Sequence, residues 1–142
     1  MPSIFVDTSA WGYFVDPSEQ AYHDKVTELY RNVRDSGDKL VTTSLILTEL
    51  IALLTSPLRV PRSQAIRFFE SIRSAPHIEV VFIDQVRDEQ AWNLLSRRPD
   101  KLWSLVDCAS FVVMQELGIT EALTTDHHFE QAGFIRLLKP QS

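Results

Sequence analysis

The regular alternation of short apolar segments with longer amphipathic segments is the feature that most limits which fold this chain can adopt. Strands are predicted at residues 3–7, 39–43, 79–83, 121–125 and, as an edge strand, 134–138. Helices are predicted at residues 18–36, 44–55, 62–74, 84–98 and 104–117, with brief helical turns at 10–15 and near 129. Because strands that alternate with helices form parallel sheets covered by helices, we expect an α/β fold. It should be a three-layer α/β/α domain with a mainly parallel central sheet.

The composition is typical of an ordinary globular domain. The chain has 142 residues, 44% hydrophobic and 23% charged, and no repeat, linker or low-complexity tract interrupts it. We therefore expect residues 1–142 to form a single domain. A single cysteine, Cys108, cannot form an internal disulfide, and the sequence shows neither a signal peptide nor an apolar run of bilayer length. These features predict a cytoplasmic protein without a membrane role.

The first predicted strand stops abruptly at Asp7, which is followed by two hydroxyl side chains, Thr8 and Ser9. Asp, Thr and Ser are common helix N-caps, so this stretch could simply close a strand and open the next helix. In the alternative interpretation, Ser9 caps the helix while Asp7 turns toward a metal ion. Other carboxylates in similarly apolar settings would favour the second interpretation.

Three further carboxylates lie in such settings. Glu49 stands within the apolar helix 44–55, where an unpaired charge would cost several kcal/mol, so we expect it to be protonated, paired or bound to a cation. Asp107 lies near the start of the predicted central helix, on the same face as Ser104. Asp126 ends the predicted fourth strand. All three therefore resemble Asp7 in position.

We expect the four acids to converge, because ligands of parallel sheets bind beyond the carboxyl ends of the strands. Carboxylates held together raise one another's pKa values, and a divalent cation relieves their repulsion. Oxygen ligands without a His/Cys cluster of zinc spacing favour Mg²⁺ or Mn²⁺ over Zn²⁺. Such an ion positions a phosphate and activates a water molecule, which points to phosphodiester hydrolysis.

The net charge of −5 argues at first against a nucleic-acid partner, because phosphate binding usually shows as a basic balance. If four acids belong to one site, however, the rest of the chain carries only −1. A basic and aromatic stretch, Arg97, Arg98, Lys101 and Trp103, could bind the substrate as single-strand binding surfaces do. Alternatively, the cations are solvated at a helix end and the Trp packs into the core.

The chain resembles a PIN-domain ribonuclease, specifically the small toxins of VapC-type toxin–antitoxin pairs. The resemblance spans residues 4 to about 137. It is carried by Val6-Asp7-Thr8-Ser9, by Glu49 in its apolar helix, by residues 104–109 around Asp107 and by residues 124–129 around Asp126. What it implies is a Mg²⁺- or Mn²⁺-dependent endoribonuclease that hydrolyses phosphodiester bonds in single-stranded or looped RNA. A cognate antitoxin would neutralise this enzyme.

Carried over position by position, the resemblance makes Asp7 and Asp107 the most direct metal ligands, with Glu49 and Asp126 completing the catalytic and metal-binding set. The implied supporting residues are Ser9, Ser104 and Thr124. The family also implies a homodimer, with the dimer contact and the antitoxin groove on the helices between residues 44 and 75. Trp11 and Phe14 could line that groove or pack internally.

His127 and His128 also invite a catalytic role. Adjacent residues on a turn point in different directions, so at most one of them can reach the acids. Because metal-bound water already supplies the nucleophile, we place both histidines outside the catalytic set.

Two alternatives remain from the sequence. The same fold could serve RNA maturation without an antitoxin, or it could be a non-catalytic RNA-binding or assembly module. A phosphatase of the haloacid dehalogenase type is disfavoured, because its chemistry needs a second Asp two residues after the nucleophile and position 9 is Ser.

Overall fold

Residues 3–140, which the computed structural model describes, form five strands and seven helices. The strands are β1 (Ser3–Val6), β2 (Lys39–Thr43), β3 (Ile78–Val81), β4 (Glu121–Leu123) and β5 (Ile135–Arg136). The helices are α1 (Thr8–Val15), α2 (Gln20–Ser36), α3 (Ser44–Thr55), α4 (Arg62–Ser74), α5 (Gln85–Arg97), α6 (Leu105–Leu117) and α7 (His128–Gln131). Within this range, no helix has both the length and the hydrophobicity needed to span a bilayer.

The strands form one sheet in the order β3-β2-β1-β4-β5, and every neighbouring pair is parallel. The chain moves outward from β1 to β3 and then crosses back to β4, on the other side of β1. Because parallel crossovers are right-handed, this reversal places α1–α4 on one face of the sheet and α5–α7 on the other. The predicted three-layer α/β/α fold is confirmed. The reversal also opens a crevice at the carboxyl ends of β1 and β4.

Four of the five strands are shorter than the sequence pattern predicts, whereas β2 has the predicted bounds, Lys39–Thr43. Strand β4 has three residues and β5 has two, Ile135 and Arg136, although a strand was predicted over residues 134–138. Backbone hydrogen bonds continue beyond β5, from the N–H groups of Leu137 and Leu138 to the carbonyls of Ala122 and Thr124. Leu123 is the last residue of β4 before the polar turn that carries Asp126.

Helix α6 is central, as its apolar sequence predicts. Its buried residues include Cys108, Ala109, Phe111 and Met114, and it ends at Gly118, which adopts the left-handed conformation with φ 68°. Burial raises the pKa of the Cys108 thiol to about 11, with a smaller contribution from the Asp107 charge. The thiol is therefore protonated at neutral pH and serves packing.

Aromatic side chains from β1 and α6 pack against Phe129 of the short helix α7. The Phe129 ring is fully buried, with its centroid 6.1 Å from that of Phe5 in β1 and 5.1 Å from that of Phe111 in α6. Trp103 packs edge-on against Phe111 at 5.1 Å. Because Phe129 follows Asp126 by three residues, these contacts anchor the turn that carries Asp126.

Candidate active site

Asp7 occupies the N-cap position of α1, yet its side chain makes no capping hydrogen bond. Its backbone N–H donates to the carbonyl of Leu123 at 3.1 Å, which extends the β1–β4 pairing by one residue. The carboxylate oxygen Oδ2 instead accepts a 2.8 Å hydrogen bond from Thr124 Oγ1. Asp7 is therefore a buried side chain at the end of β1, turned toward the residues that follow β4.

Burial raises the pKa of Asp7 to about 7. The hydrogen bond from Thr124 and a backbone hydrogen bond from Thr8 lower this pKa, while the charges of Asp107 and Asp126 raise it by smaller amounts. Repulsion among the acids, which the sequence predicted, is thus present but secondary to desolvation. A nearby cation would favour the ionised form of this carboxyl group.

The predicted role of Ser9 as a helix cap is wrong. Ser9 lies inside α1, and its hydroxyl accepts a hydrogen bond from the backbone N–H of Thr125 at 3.2 Å. It also lies 3.5 Å from the hydroxyl of Thr124. Ser9 therefore connects α1 to the turn after β4, which is a supporting contact of a different kind.

Asp107 is held by a capping box at the start of α6. The Ser104 hydroxyl accepts from the Asp107 backbone N–H, and Oδ2 of Asp107 accepts from the Ser104 N–H, both at 3.0 Å. Nδ1 of His128 lies 3.0 Å from the same Oδ2. Within residues 3–140 no hydrogen bond involves Oδ1 of Asp107, so that oxygen is available to a ligand.

The expected burial of Glu49 is wrong. Glu49 lies on the exposed side of α3, because the turn of the helix directs Ile46 and Leu50 into the core and position 49 outward. The cost of a buried charge therefore does not apply to it. Its Oε1 accepts a 2.7 Å hydrogen bond from the Thr8 hydroxyl, which holds the carboxylate beside α1. Sequence reasoning missed Thr8, since nothing in the sequence links residues 41 positions apart.

Asp126 is fixed by the turn after β4. Its backbone N–H donates to Thr124 Oγ1 at 3.0 Å, and its Oδ1 accepts from the His128 backbone N–H at 2.9 Å. Thr124 thus donates to Asp7 and accepts from the backbone of Asp126. One threonine hydroxyl therefore positions two of the four acids.

Only one of the two adjacent histidines reaches two of the acids. His128 is half-buried, with Nδ1 also 3.3 Å from Oδ1 of Asp126, whereas His127 is exposed and lies 3.8 Å from the same oxygen. Ligand atoms of Asp126, His127 and His128 lie within 4.8 Å of one another. Histidine nitrogens therefore lie near the acids, whereas the sequence predicted a ligand set of oxygen atoms alone.

The four acids line one open cavity of about 600 Å³. Its other walls come from Thr8, Ser9, Leu53, Leu102, Ser104, Thr125 and His128. The expected convergence of the acids at the crevice beside β1 and β4 is therefore observed. Thr124 supports the cavity from beneath, through its hydrogen bond to Asp7.

The basic residues predicted to bind substrate do not line this cavity. Arg98 pairs with Asp100 through two 3.0 Å contacts, and its guanidinium carbon lies 5.2 Å from the centroid of the Trp103 ring. Arg97 lies along the groove between α5 and α6. Lys101 is half-buried beside Leu102. Their contact with RNA stays a prediction.

Known proteins are similar to this chain in sequence and in fold. The model of the PIN domain family matches residues 4–135. The chain belongs to the PIN-domain family. The 23S rRNA-specific endonuclease VapC20 of Mycobacterium tuberculosis, from strains CDC 1551 and H37Rv, is 31% identical over 134 residues. Those residues are 94% of this PIN domain and 97% of VapC20.

Solved structures agree with this assignment. The crystal structure of VapC20, a sarcin–ricin-loop-cleaving toxin, superposes on this PIN domain with a TM-score of 0.80 at 29% identity. The match covers 96% of this chain and 99% of that one. VapBC2 from Rickettsia felis, bound to a promoter DNA fragment, shares the fold with a TM-score of 0.63 at 13% identity, over 96% of this chain and 98% of that one. The predicted VapC-type PIN-domain endoribonuclease toxin is confirmed.

Proposed function

We propose that this PIN domain hydrolyses RNA with a Mg²⁺ or Mn²⁺ ion held by its acids. The ligands would be Asp7, Glu49, Asp107 and Asp126. The observation that carries the proposal is that these carboxylates reach one cavity from four separate segments of the chain. Within residues 3–140, no lysine or arginine forms an ion pair with any of them.

The donor set fits a hard divalent cation. Carboxylate oxygens are the preferred ligands of Mg²⁺ and Mn²⁺, and the buried Asp7 carboxyl has an elevated pKa that a cation would lower. When bound, such an ion neutralises the acids, lowers the pKa of a water molecule and stabilises charge on the phosphate. Asp7 and Asp107 are the buried ligands of the set.

The residues around Asp7 and Asp107 either orient these two carboxylates or accept a proton. Thr124 fixes one oxygen of Asp7, while Ser104 and His128 fix one oxygen of Asp107, so each carboxylate keeps a defined orientation. Glu49 is the most exposed of the four acids and has the best access to solvent. We therefore propose that Glu49 accepts the proton of the attacking water.

We propose 23S rRNA, cleaved in the sarcin–ricin loop, as the substrate. VapC20 acts on that RNA, and its identity with this chain extends over nearly the full length of both proteins. Looped RNA exposes unstacked bases that a protein can read. The shared length, rather than any single motif, supports this choice of substrate.

Mapping of RNA ends tests both parts of the proposal. Intact ribosomes are incubated with the protein in Mg²⁺ or Mn²⁺, with a parallel sample in EDTA, and new 5′ ends are sequenced. We expect ends within the sarcin–ricin loop that require metal and disappear in Asp7→Asn. Glu28→Gln removes an exposed acid on α2 as a matched control and should cleave like wild type. Equal cleavage by Asp7→Asn, or full cleavage in EDTA, contradicts the proposed site.

We further propose that a cognate antitoxin covers an apolar groove between α1, α3 and α4. The groove is lined by Phe14, Leu54, Val60 and Phe68, within or beside the helices that the family resemblance implied. Trp11, the other candidate, packs internally, with its Nε1 donating to Thr42 Oγ1 at 3.3 Å. The groove would accept the apolar face of an antitoxin helix.

Coexpression tests this partner. A small reading frame beside the toxin gene should encode a protein that restores growth, and Val60→Asp should remain toxic but escape the rescue. Toxicity that no neighbouring product relieves would favour an RNA-maturation nuclease instead.

The homodimer is a separate proposal. Ile66 on α4 is 45% exposed, an apolar side chain on one of the helices implied in dimer contact. Sedimentation velocity should give twice the monomer mass, and Ile66→Asp should reduce it. A wild-type monomer at all concentrations contradicts the dimer.

A further inference from the structure

Leu102 is an apolar side chain held out in solvent at the wall of the acidic cavity. It is 90% exposed, the largest exposed fraction among the large hydrophobic side chains of residues 3–140. It also lines the same cavity as Asp7, Glu49, Asp107 and Asp126. Leaving a leucine in water forgoes the stabilisation that its burial would give.

The loop between α5 and α6 keeps Leu102 in this position. On one side of it, the Lys101 backbone N–H donates to the Arg98 carbonyl at 3.0 Å, and Arg98 is held by Asp100. On the other side, Trp103 is buried and its Nε1 donates to Gln131 in α7 at 3.0 Å. Leu102 is thus exposed because hydrogen bonds and packing hold both of its neighbours in place, rather than because the loop lacks contacts.

The same loop leads directly into the start of α6, where Asp107 lies. Two residues after Leu102, Ser104 forms the capping box that orients Asp107. A phosphodiester bond that reached Asp107 would therefore place an adjoining nucleotide beside Leu102. The cation of Lys101 directly precedes Leu102 and favours such a ligand, while the charge of Arg98 in the same loop is paired with Asp100.

We propose that Leu102 is a wedge that packs against the base next to the scissile phosphate and unstacks it. The inference rests on the proposed ribonuclease function and adds a residue that selects the cleavage context. Apolar side chains inserted between base steps unstack them and bend the backbone. A backbone freed in this way can align for in-line attack over the acids. Leu102 is a positioning residue, since it carries no group that takes part in bond cleavage.

Single-turnover cleavage of a hairpin RNA carrying the sarcin–ricin loop tests this role, with extracted total RNA as a second substrate. Leu102→Ala should lower kcat/KM for cleavage about 5- to 50-fold, the range expected when one to three buried carbon atoms of the side chain are lost. Leu102→Met should recover most of the activity. Leu117→Ala removes a leucine that is 43% exposed at the far end of α6, and it should leave cleavage unchanged.

A second measurement separates this role from damage to the acids. Calorimetric titration with Mn²⁺ alone should give the same affinity for wild type and Leu102→Ala. Weaker Mn²⁺ binding would show that the loop acts through Asp107 and would overturn the wedge. Loss of self-association in Leu102→Ala with unchanged RNA cleavage would assign Leu102 to a protein contact and also overturn it.

The two proposals fail differently. If wild type cleaves neither RNA with metal present, the ribonuclease function and the wedge fall together. If wild type cleaves and Leu102→Ala cleaves equally well at the same positions, only the wedge is wrong.

Discussion

Thr124 Oγ1 donates a 2.8 Å hydrogen bond to Oδ2 of Asp7, across 117 positions of sequence. The same oxygen accepts the backbone N–H of Asp126 at 3.0 Å. One hydroxyl group thus orients two acids, one directly after β1 and one in the turn after β4.

Thr124→Val should weaken cleavage at pH 7. The Thr124 hydrogen bond lowers the pKa of Asp7, so its removal lets burial raise that pKa further and leaves more of the carboxyl protonated. We expect cleavage to fall about tenfold at pH 7 and to recover in part at higher pH. The pH profile of cleavage measures this shift. Thr124→Ser keeps the hydroxyl and should retain the wild-type profile, and a Thr124→Val profile that superposes on wild type contradicts the prediction.

Asp7→Asn should stabilise the metal-free protein at pH 8. The pKa of Asp7 is about 7 in the folded chain against 3.8 for a free carboxyl, so the folded state binds more protons between these values and loses stability as pH rises. Asparagine carries no charge to desolvate. The free energy of unfolding of the variant should therefore exceed that of wild type by up to roughly 4 kcal/mol at pH 8 and by nothing near pH 4. Urea denaturation in EDTA at both pH values measures the difference. Glu28→Gln should show no such gain, and equal stability of wild type and Asp7→Asn at pH 8 would sink the idea.

The affinity for metal should decrease as the pH is lowered below about 7. A cation must displace the proton from Asp7, so the Mn²⁺ association constant should drop by about tenfold for each pH unit below the Asp7 pKa. Calorimetry at pH 6, 7 and 8 measures the slope. Asp7→Asn should bind Mn²⁺ more weakly at pH 8 and lose this slope; a wild-type affinity independent of pH argues against Asp7 as a ligand.

Thr8→Val should reduce cleavage without unfolding the chain. The Thr8 hydroxyl holds Oε1 of Glu49 at 2.7 Å, and without it this exposed carboxylate samples other rotamers. We expect the rate to fall roughly 3- to 10-fold with KM unchanged, the loss of one hydrogen bond of about 1 kcal/mol. Thr48→Val is the matched control, since its hydroxyl bonds within α3 to the Ser44 carbonyl. Equal rates in both variants would separate Thr8 from the reaction.

The positions of the acids could be predicted because they interrupt apolar segments. Asp7 directly follows β1, Asp126 lies in the turn after β4, and Asp107 lies in the first turn of α6, so each is at or near an element boundary that local periodicity reveals. Parallel strands present their carboxyl ends at one edge of the sheet, which makes convergence a consequence of the fold.

The exposure of Glu49 was not predictable from its neighbours. Leucine and isoleucine surround it in sequence, yet the helix turn directs it to solvent, and only packing against the sheet decides which face of an apolar helix is covered. Ser9 illustrates the same limit, since its hydroxyl serves the turn after β4 rather than the helix it belongs to.

What the sequence determined by itself was therefore the order of strands and helices, the family and the four acids, because periodicity and abrupt polar interruptions are local properties. Only the tertiary structure decided which hydroxyl holds which carboxylate, that His128 joins the acids, and that Leu102 stands exposed beside them. Those relationships join residues far apart in the chain, and their geometry depends on strand register and helix packing. No local pattern encodes that geometry.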